Sequence, residues 1–457
     1  MRILFSPVGD SDPIRDCYDG SCLHIIRHYQ PDAVKLFFTK DMANKEEKDH
    51  RYTKAIKHVA PNIDIIQADT TDIVAANSFD IYMDYFPKSI MELVEKNPDA
   101  EILVNISSGT TQMKTTLAML SVDLPNCKAI QVSTPAKGSN RRNRPEQDDI
   151  DVEELIKNNL DEEDDAENRC EEPSLTGIKN FREKNQILSL IEARRYGAAW
   201  NLAKEPSSTI SEDTCRLLEY GYKRSKLELK AAKTKLNKEE RDKLHTVKDD
   251  TAEKLLEYFL VMDNHALNKE YAELLMKLTP FMYELLKEHI KRNINCNDFF
   301  ESCCEQKTKN GITVPVIIRE KIDNWNHEVL VNLDSRFGLF KDTDASFINL
   351  FYIISAQSLQ DVTIANKRLL ALFDNERGMS VERLNNLRNT VAHNIIMNIT
   401  ETEFENKTGL EPQKIIDVLF DALRIVFDYN AKTKISKEAR NSYKELNQDI
   451  KHSMEKF

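Results

Sequence analysis

An arginine and a histidine lie five positions apart near the C-terminal end of the sequence, in the segment LRNTVAHN at positions 387–394. The imidazole of His393 suits general acid or base work, because histidine titrates near neutral pH. The guanidinium of Arg388 is a permanent, forked cation that matches phosphate oxygens, and Asn389 can hold a substrate or orient the histidine. No cluster of carboxylates accompanies them in the sequence, which argues against a two-metal mechanism. These three residues are the candidate catalytic groups.

The spacing of Arg388 and His393 restricts where they can act. On an ideal helix, residues five apart point about 140° away from each other, so the two side chains do not line one face. We therefore expect the motif to lie at a helix end or to face a partner molecule.

A second polar cluster follows the predicted strand Glu101–Ile106 and precedes a predicted helix. Free N–H groups at a helix N-terminus attract phosphate, Gly109 allows close approach, and Lys114 adds a positive charge one turn into the helix. The segment is neither a P-loop nor a dinucleotide fingerprint, and without a ligand the same residues make a helix-capping turn. The candidate ligand-binding residues are Asn105, Ser107, Ser108, Gly109, Thr110, Thr111, Gln112 and Lys114.

The loop after the first predicted strand, Arg2–Phe5, is rich in turn residues. Ligands of doubly wound sheets bind at the carboxyl ends of the strands, so this loop and the one after Glu101–Ile106 should share one edge. The additional candidates are Gly9, Asp10, Ser11 and Asp12.

The elements that must position these residues differ between the two ends of the chain. Short apolar runs alternate with helix-like stretches in the first 135 residues, which predicts a doubly wound, Rossmann-like α/β domain with a parallel sheet. From about residue 175, apolar residues recur at three- and four-residue spacing, which predicts an all-α domain with one strand at Ile312–Ile318. The further predicted strands are Val34–Thr39, Ile63–Ala68 and Lys128–Ser133, and the predicted N-terminal helices are His50–Ala60, Ile90–Lys96 and Thr111–Leu120.

The predicted domain organisation is a Rossmann-like domain with the candidate ligand loops at 1–145, an acidic linker at 146–174 and a helical region at 175–457. Residues 146–172 hold fourteen acidic residues against Lys157 and Arg169, which equals the net charge of −12 of the whole chain. The rest of the chain is balanced, so a local basic groove for nucleic acid is allowed. The acidic stretch is either a solvated linker, which we favour, or a charged helix such as Val152–Asn159. Its role and that of the arginines at 141–144 stay open.

Composition excludes several classes of protein. No apolar run reaches the roughly 18 to 20 residues of a membrane span and no signal peptide is evident, so we expect a cytoplasmic protein with no membrane partner. The eight cysteines lack the paired spacing of a zinc site or a disulfide framework, which predicts reduced thiols. His24 and His28 could pair on one helix face, but without a third ligand nearby we expect a surface or packing role and no metal.

The segment NISSGTTQM at 105–113 resembles the ligand motif of CARF domains, the Rossmann-like sensors of CRISPR-linked proteins. The resemblance implies a cyclic oligoadenylate bound across a two-fold dimer axis, with the loop of residues 7–13 as the other contact region. It does not fix the ring size, although similar members of the Csm group commonly respond to cyclic hexa-adenylate. Slow cleavage of the ring by the sensor domain also stays open.

The segment 387–394 resembles the Arg-x4–6-His motif of HEPN ribonucleases, including the polar residue Asn389 directly after the arginine. CARF followed by HEPN is the arrangement of the accessory ribonucleases of type III-A CRISPR systems, the Csm group. The resemblance implies a homodimer whose two motifs form one composite site, an activator made by a type III CRISPR effector complex, and a single-stranded RNA substrate. RNA can be cleaved by its own 2′-hydroxyl, so the expected reaction is metal-independent and leaves 2′,3′-cyclic phosphate ends.

Two alternatives belong to other functional classes. A nucleotide-gated binding or regulatory protein with an inactive HEPN domain is disfavoured because Arg388, Asn389 and His393 are all present. A transcription regulator is disfavoured because the C-terminal half is neither basic nor as short as one helix-turn-helix module. An RNA-degradation assay with and without cyclic oligoadenylates separates these hypotheses.

Overall fold

The computed structural model describes residues 1–67, 72–124, 126–135, 151–293, 298–309, 311–359, 363–373, 379–394, 398–428 and 433–455. The chain divides into two compact units, Met1–Arg182 and Glu183–Phe457. The predicted boundary at residue 145 and the arginines at 141–144 lie outside the described residues.

The N-terminal unit alternates strands and helices. Its strands are β1 (Arg2–Pro7), β2 (Ile14–Arg15), β3 (Tyr18–Asp19), β4 (Ala33–Phe37), β5 (Asp64–Gln67), β6 (Glu101–Asn105), β7 (Cys127–Val132) and β8 (Cys170–Glu171). Its helices are α1 (Ser21–Tyr29), α2 (Lys40–Asp49), α3 (Arg51–Val59), α4 (Phe79–Lys96), α5 (Thr111–Asp123) and α6 (Val152–Lys157), with a 3-10 turn at Leu160–Glu162.

One six-stranded sheet in the order β5-β4-β1-β6-β7-β8 organises this unit. All neighbouring pairs are parallel except β7 and β8, which are antiparallel. The register places Leu4 of β1 opposite Val34 of β4 and Leu103 of β6, at the centre of the sheet. The carboxyl ends of β1 and β6 therefore meet at one edge, as the predicted Rossmann-like fold requires.

Both faces of the sheet are covered, because successive residues of a strand point to opposite sides. Leu4 and Leu103 pack on one side among residues of α1 and α3. Ile3 and Phe5 pack on the other side among residues of α4 and α5. This two-sided burial explains why the central strands are nearly continuous apolar runs.

The described part of the predicted acidic linker is folded into the N-terminal unit. It forms α6 and the edge strand β8, in which Cys170 pairs with Val132 of β7. Buried Asp161 and Arg169 anchor the stretch, since their charges pair with each other. The unit continues to Arg182, so this stretch differs from the solvated linker expected from its charge.

The C-terminal unit is mostly helical. Its helices are α7 (Thr176–Glu192, which contains the boundary between the units), α8 (Tyr196–Ala203), α9 (Glu212–Ser225), α10 (Leu229–Lys233), α11 (Lys238–Leu244), α12 (Asp250–Leu267), α13 (Tyr271–Asn293), α14 (Phe299–Cys303), α15 (Arg319–Trp325), α16 (His327–Phe337), α17 (Phe347–Ser358), α18 (Ile364–Leu372), α19 (Val381–His393), α20 (Glu401–Thr408), α21 (Pro412–Val426) and α22 (Ser442–Glu455). Its strands are β9 (Cys304–Lys309), β10 (Ile312–Ile317) and β11 (Thr343–Asp344), with a 3-10 turn at Glu438–Asn441.

A single hydrophobic core runs through the C-terminal unit, and α13 is central to it because it packs against α12, α17, α19 and α21. The predicted strand at 312–318 is confirmed as β10, but it belongs to a three-stranded antiparallel sheet in the order β11-β10-β9. The expectation of one strand was wrong because β9, with the sequence CEQKTK, has no alternation of apolar residues to indicate it. Across the described residues, no helix is long and apolar enough to cross a membrane.

Candidate functional site

The loops that follow β1 and β6 touch at the carboxyl edge of the sheet. A Cβ atom added to Gly9 would lie 3.0 Å from the backbone nitrogen of Gly109, so only glycine fits this approach without displacing the other loop. Gly109 also has a φ of +83°, in the left-handed region that favours glycine. The structure therefore brings the two predicted ligand loops together.

Asp12 joins three segments at this edge from inside the protein. Its carboxylate accepts the backbone N–H of Gly9 at 2.9 Å and that of Cys22 at 3.2 Å, and it accepts the hydroxyl of Ser108. Burial raises the pKa of Asp12, although these hydrogen bonds act in the opposite direction. Asp12 thus holds the loop after β1, the start of α1 and the loop after β6 in a fixed arrangement.

Asn105 at the end of β6 also points inward and is fully buried. Its amide nitrogen donates to the hydroxyls of Ser6 at 2.9 Å and Ser21 at 3.1 Å. Its side-chain oxygen accepts the backbone N–H of Ser107 at 2.8 Å and of Ser108 at 3.3 Å. The side chains of Asp12, Asn105 and Ser108 therefore shape the loops from the interior.

The other predicted ligand residues are accessible. Asp10, Ser11 and Thr111 are exposed, while the half-buried members of the set are Gly9, Ser107, Gly109, Thr110, Gln112 and Lys114. Thr110 also caps α5, since its hydroxyl accepts the backbone N–H of Met113 at 3.4 Å. The N-terminus of α5 therefore lies beside the contact between the two loops, and free backbone N–H groups at such a helix end attract anions.

Two depressions open at this edge, and both include residues that the sequence analysis did not single out. One is lined by Gly9, Asp10, Gly109 and Thr110 together with Thr39, Asn44 and Lys45, which follow β4. The other is lined by Ser11 and Ser107 together with Tyr18, Ser133, Pro135 and Arg169. Thr39 and Ser133 could have been found by the rule that pointed to Gly109, because each follows the carboxyl end of a parallel strand.

A charge cluster lies behind the second depression, and we call the residues Asp19, His24, Arg27, Asp161, Glu162 and Arg169 the brace. All of them are buried except the half-buried Arg27 and the exposed Glu162. Arg27 donates to Asp19 at 2.7 Å and Arg169 donates to Asp161 at 2.6 Å. Burial alone would raise the pKa of Asp19, but the hydrogen bonds from His24 and Arg27 lower it to about 2. The brace attaches the acidic stretch to α1 and β3.

The brace also brings together three side chains that bind metals in other proteins. Ligand atoms of Asp19, His24 and Asp161 lie within 4.8 Å of one another. Both carboxylates already pair with arginines, and His24 Nε2 accepts the backbone N–H of Arg169 at 3.0 Å. The two guanidinium groups supply the positive charge that a cation would bring, so the cluster fits a structural role better than metal binding. His24 packs against His28, with ring centroids 4.5 Å apart, as expected for a packing pair.

The Arg388–His393 motif occupies the C-terminal part of α19 in the helical unit. Arg388 is half-buried and donates from Nη1 to the side-chain oxygen of Asn389 at 3.1 Å, so Asn389 orients the guanidinium. Arg388 forms no ion pair with any residue that the structure describes, which leaves its charge available. His393 is the last residue of the helix and is exposed.

The burial pattern of α19 explains how the motif is presented. Val381, Leu384, Leu387 and Val391 are buried at three- and four-residue spacing, and the helix packs against α13, α17 and α20. Ser380 caps its start by accepting the backbone N–H of Arg383 at 3.3 Å. The helix is thus fixed along one side, and its end presents Arg388 and His393 toward different directions.

The comparisons with known proteins cover both units. A family model described as the Cas_Csm6 CARF domain matches residues 62–170, and one described as the Cas_Csm6 HEPN domain matches residues 244–451. The chain is 33% identical over 294 residues to the CRISPR system endoribonuclease Csm6 of Mycobacterium tuberculosis, over 64% of this chain and 69% of that relative. It is 39% identical over 215 residues to the Csm6 of Enterococcus italicus, over 46% of this chain and 49% of that relative.

A solved structure shares the fold of the whole chain. Enterococcus italicus Csm6 bound to cyclic hexa-2′-fluoro-hexa-dAMP matches with a TM-score of 0.66 and 24% identity, over 99% of this chain and 100% of that chain. The two family models together match more than half of the sequence, one in each compact unit. The chain therefore belongs to the Csm6 family of CRISPR system endoribonucleases, with an N-terminal CARF domain and a C-terminal helical HEPN domain.

Proposed function

We propose that this protein is a homodimeric, metal-independent endoribonuclease of type III CRISPR defence that a cyclic oligoadenylate activates. The observation that carries the proposal is the end of α19, where Arg388 has no ion pair with a described residue and His393 is exposed. Cyclic hexa-adenylate is the proposed activator, because a hexameric analogue is bound in the Enterococcus italicus relative. Its source is a type III CRISPR effector complex.

The residues of α19 suit cleavage of single-stranded RNA by its own 2′-hydroxyl. His393 moves a proton to or from the reacting oxygens, and Arg388 stabilises the negative charge that builds on the phosphorane. Asn389 keeps the guanidinium in place through its 3.1 Å hydrogen bond. The products are a 2′,3′-cyclic phosphate and a free 5′-hydroxyl.

The resemblance to HEPN ribonucleases implies a dimer, and the divergent directions of the two motif residues support it. One protomer cannot aim Arg388 and His393 at the same phosphate from one helix face, whereas two motifs related by a two-fold axis can surround it. The cyclic activator has the matching symmetry. The site is therefore composite, with each protomer supplying one motif.

Replacing His393 or Arg388 tests the catalytic assignment. We expect His393→Ala to lower activator-dependent RNA cleavage by about 10²-fold or more, because the proton-transfer group is lost. Arg388→Lys should not restore full activity, because an ammonium lacks the planar fork. The measurement is cleavage of a labelled RNA in excess EDTA, with analysis of the product ends.

Two variants serve as matched controls. Arg383 is exposed on α19 five residues before Arg388, and His452 is exposed on α22, so Arg383→Ala and His452→Ala should keep normal rates. Normal cleavage by His393→Ala would refute the site assignment. Strict dependence on magnesium, or efficient cutting of single-stranded DNA, would refute the proposed chemistry. Intact ligand binding without any RNA cleavage by the unaltered protein would favour the regulatory alternative.

A further inference from the structure

We propose that the stacked side chains of Trp200 and Tyr222, together with Lys204 and Lys226, form a second RNA-binding surface that holds single-stranded substrate outside the nuclease site. We call these four residues the Trp200 platform. The inference rests on the proposed function, since it concerns how the same substrate is held. The platform belongs to α8 and α9, which lie between residues 170 and 244, where one family-model match ends and the other begins.

The chain around the Trp200 platform is basic, although the whole protein is acidic. Residues 221–248 hold ten lysines and arginines against four acidic residues, whereas the whole chain has a net charge of −12. Lys204, Lys226 and the neighbouring Lys230 of α10 are exposed, and none of the three forms an ion pair with a residue that the structure describes. Unpaired positive charge at an accessible surface attracts a polyanion such as RNA.

Two further lysines extend the basic surface. The ammonium groups of Lys223 and Lys235 share the carboxylate of Glu219, at 3.6 Å and 2.8 Å, so these three side chains keep one net positive charge. Burial raises the pKa of the Cys215 thiol, while the nearby positive charges of Lys204 and Lys235 act in the opposite direction. Both lysines therefore lie close to Cys215, which places them on the same side of α9.

The aromatic part of the Trp200 platform suits unpaired bases. The rings of Trp200 and Tyr222 stack with their centroids 5.4 Å apart and an angle of 21° between their planes. Gly197 permits this arrangement, because a Cβ atom there would lie 2.9 Å from the ring of Tyr222. Both rings are half-buried, since they pack against the core of the unit and keep part of their surface accessible. Bases of single strands stack on such rings with little sequence preference.

The two lysines of the platform lie beside the rings, where they can reach the phosphates next to a stacked base. The ammonium of Lys204 lies 4.1 Å from the ring centroid of Trp200. A cation over an exposed ring is held weakly, so an arriving base can displace it and the flexible lysine can turn to the backbone. Lys226 follows Tyr222 by one turn, and its backbone N–H donates to the carbonyl oxygen of Tyr222 at 3.2 Å.

The Trp200 platform and the Arg388–His393 motif lie on different helices of the unit. Helices α8 and α9 pack against each other, and α9 also packs against α10 and α22. Helix α19 packs against α13, α17 and α20. An RNA long enough to contact both surfaces binds more tightly than either contact alone allows, because the second contact becomes intramolecular. A short RNA that fills only the nuclease site gains nothing from the platform.

The test measures kcat and KM of the full-length protein at saturating cyclic hexa-adenylate, with a long and a short single-stranded RNA that share one cleavage sequence. Lys204→Glu combined with Lys226→Glu reverses two exposed charges without touching the core. We expect the KM for the long RNA to rise about tenfold at low salt, while its kcat and both constants for the short RNA stay unchanged. Added salt should reduce the difference, because it screens contacts with phosphate.

Trp200→Leu tests the aromatic part and should raise the KM for the long RNA several-fold at unchanged kcat, because a stacking contact is lost. The matched control, Lys254→Glu combined with Lys437→Glu, reverses two exposed charges elsewhere in the helical unit and should keep the KM of the unaltered protein.

An unchanged KM for the long RNA in the variant with Lys204→Glu and Lys226→Glu would overturn the inference and favour an acidic protein as the partner of this surface. An equal rise of KM for both RNAs would also overturn it, because the effect would then lie in the nuclease site or the fold. So would an equal rise in the control variant. Failure of the unaltered protein to cleave either RNA would instead refute the proposed function.

Discussion

At the carboxyl edge of the sheet, the predicted ligand residues divide into those that shape the loops and those that face outward. Asp12 and Asn105 are buried and hold backbone N–H groups of both loops. Thr110 and Lys114 are half-buried at the start of α5, where a bound anion would sit. Changes in the first pair should alter folding as well as binding. Changes in the second pair should alter binding most directly.

Lys114→Ala and Thr110→Ala should raise the activator concentration needed for half-maximal RNA cleavage, by about tenfold for the lost charge at Lys114. The rate at saturation should stay normal, because the chemistry at α19 is untouched. Since Thr110 caps α5, Thr110→Ala also removes about 1 kcal/mol of helix stability, whereas Thr110→Ser keeps the cap. The measurement is cleavage against cyclic hexa-adenylate concentration.

Lys88 is exposed on α4 and provides a control lysine, so Lys88→Ala should leave the activation curve unchanged. Unchanged curves for both Thr110→Ala and Lys114→Ala would contradict the placement of the ring on the loop after β6.

At the scale of elements, the sequence predicts the strands whose apolar pattern follows directly from their burial. The strands β1, β4 and β6 were predicted within two residues at each end, because their apolar runs reflect burial on both faces of a parallel sheet. Helix α4 was predicted only from Ile90, yet it begins at Phe79. Pro87 lies inside it, and an internal proline normally indicates a helix end.

Long-range pairing explains what the sequence could not predict about the site. Asp161 accepts the backbone N–H of Asp19, 142 positions away, and Arg169 donates to His24, 145 positions away. No periodicity or composition reveals such partners, so the acidic stretch was interpreted as a linker. The position of Arg169 beside Ser107 became evident only from the folded chain.

The helical unit contains a buried histidine whose protonation should destabilise it. His289 on α13 donates from Nε2 to the side-chain oxygen of Asn366 at 2.6 Å, and burial lowers its pKa to about 4. The folded state therefore binds fewer protons than the unfolded state, whose histidine titrates near 6.5. The contribution of neutral His289 to the free energy of unfolding is complete above about pH 6.5. It is lost as the pH falls toward 4, by about 3 kcal/mol.

Denaturant unfolding of the full-length protein, followed by helical circular dichroism from pH 7.5 to 4.5, measures this effect. His289→Gln should be less stable at pH 7.5 but should show a smaller loss of stability on acidification. The matched control His452→Gln changes an exposed histidine and should keep the pH dependence of the unaltered protein. If the free energy of unfolding of His289→Gln changes with pH as steeply as that of the unaltered protein, His289 is not the group responsible for the acid destabilisation.

At the scale of the whole molecule, a symmetric ring and a composite nuclease site require the same two-fold axis. A ring can shift the protein toward an active arrangement only by binding that arrangement more tightly. One ring should therefore bind per two chains, and each dimer should gain one complete nuclease site. The number of nuclease sites per dimer separates a composite site, which gives one, from independent sites, which give two.

Mixed dimers test the composite site directly. If both motifs are needed, cleavage by a random mixture of unaltered and His393→Ala chains should follow the square of the unaltered fraction, which gives about a quarter of full activity at equal amounts. Independent sites would give about half. The chains are co-expressed with different tags so that the heterodimer can also be purified and assayed alone at saturating cyclic hexa-adenylate. A purified heterodimer with half the activity of the unaltered homodimer would show that each protomer cleaves RNA by itself. Since the ring can still bind such a heterodimer normally, a loss of nearly all activity places the defect in the shared nuclease site and supports one composite centre for each ring.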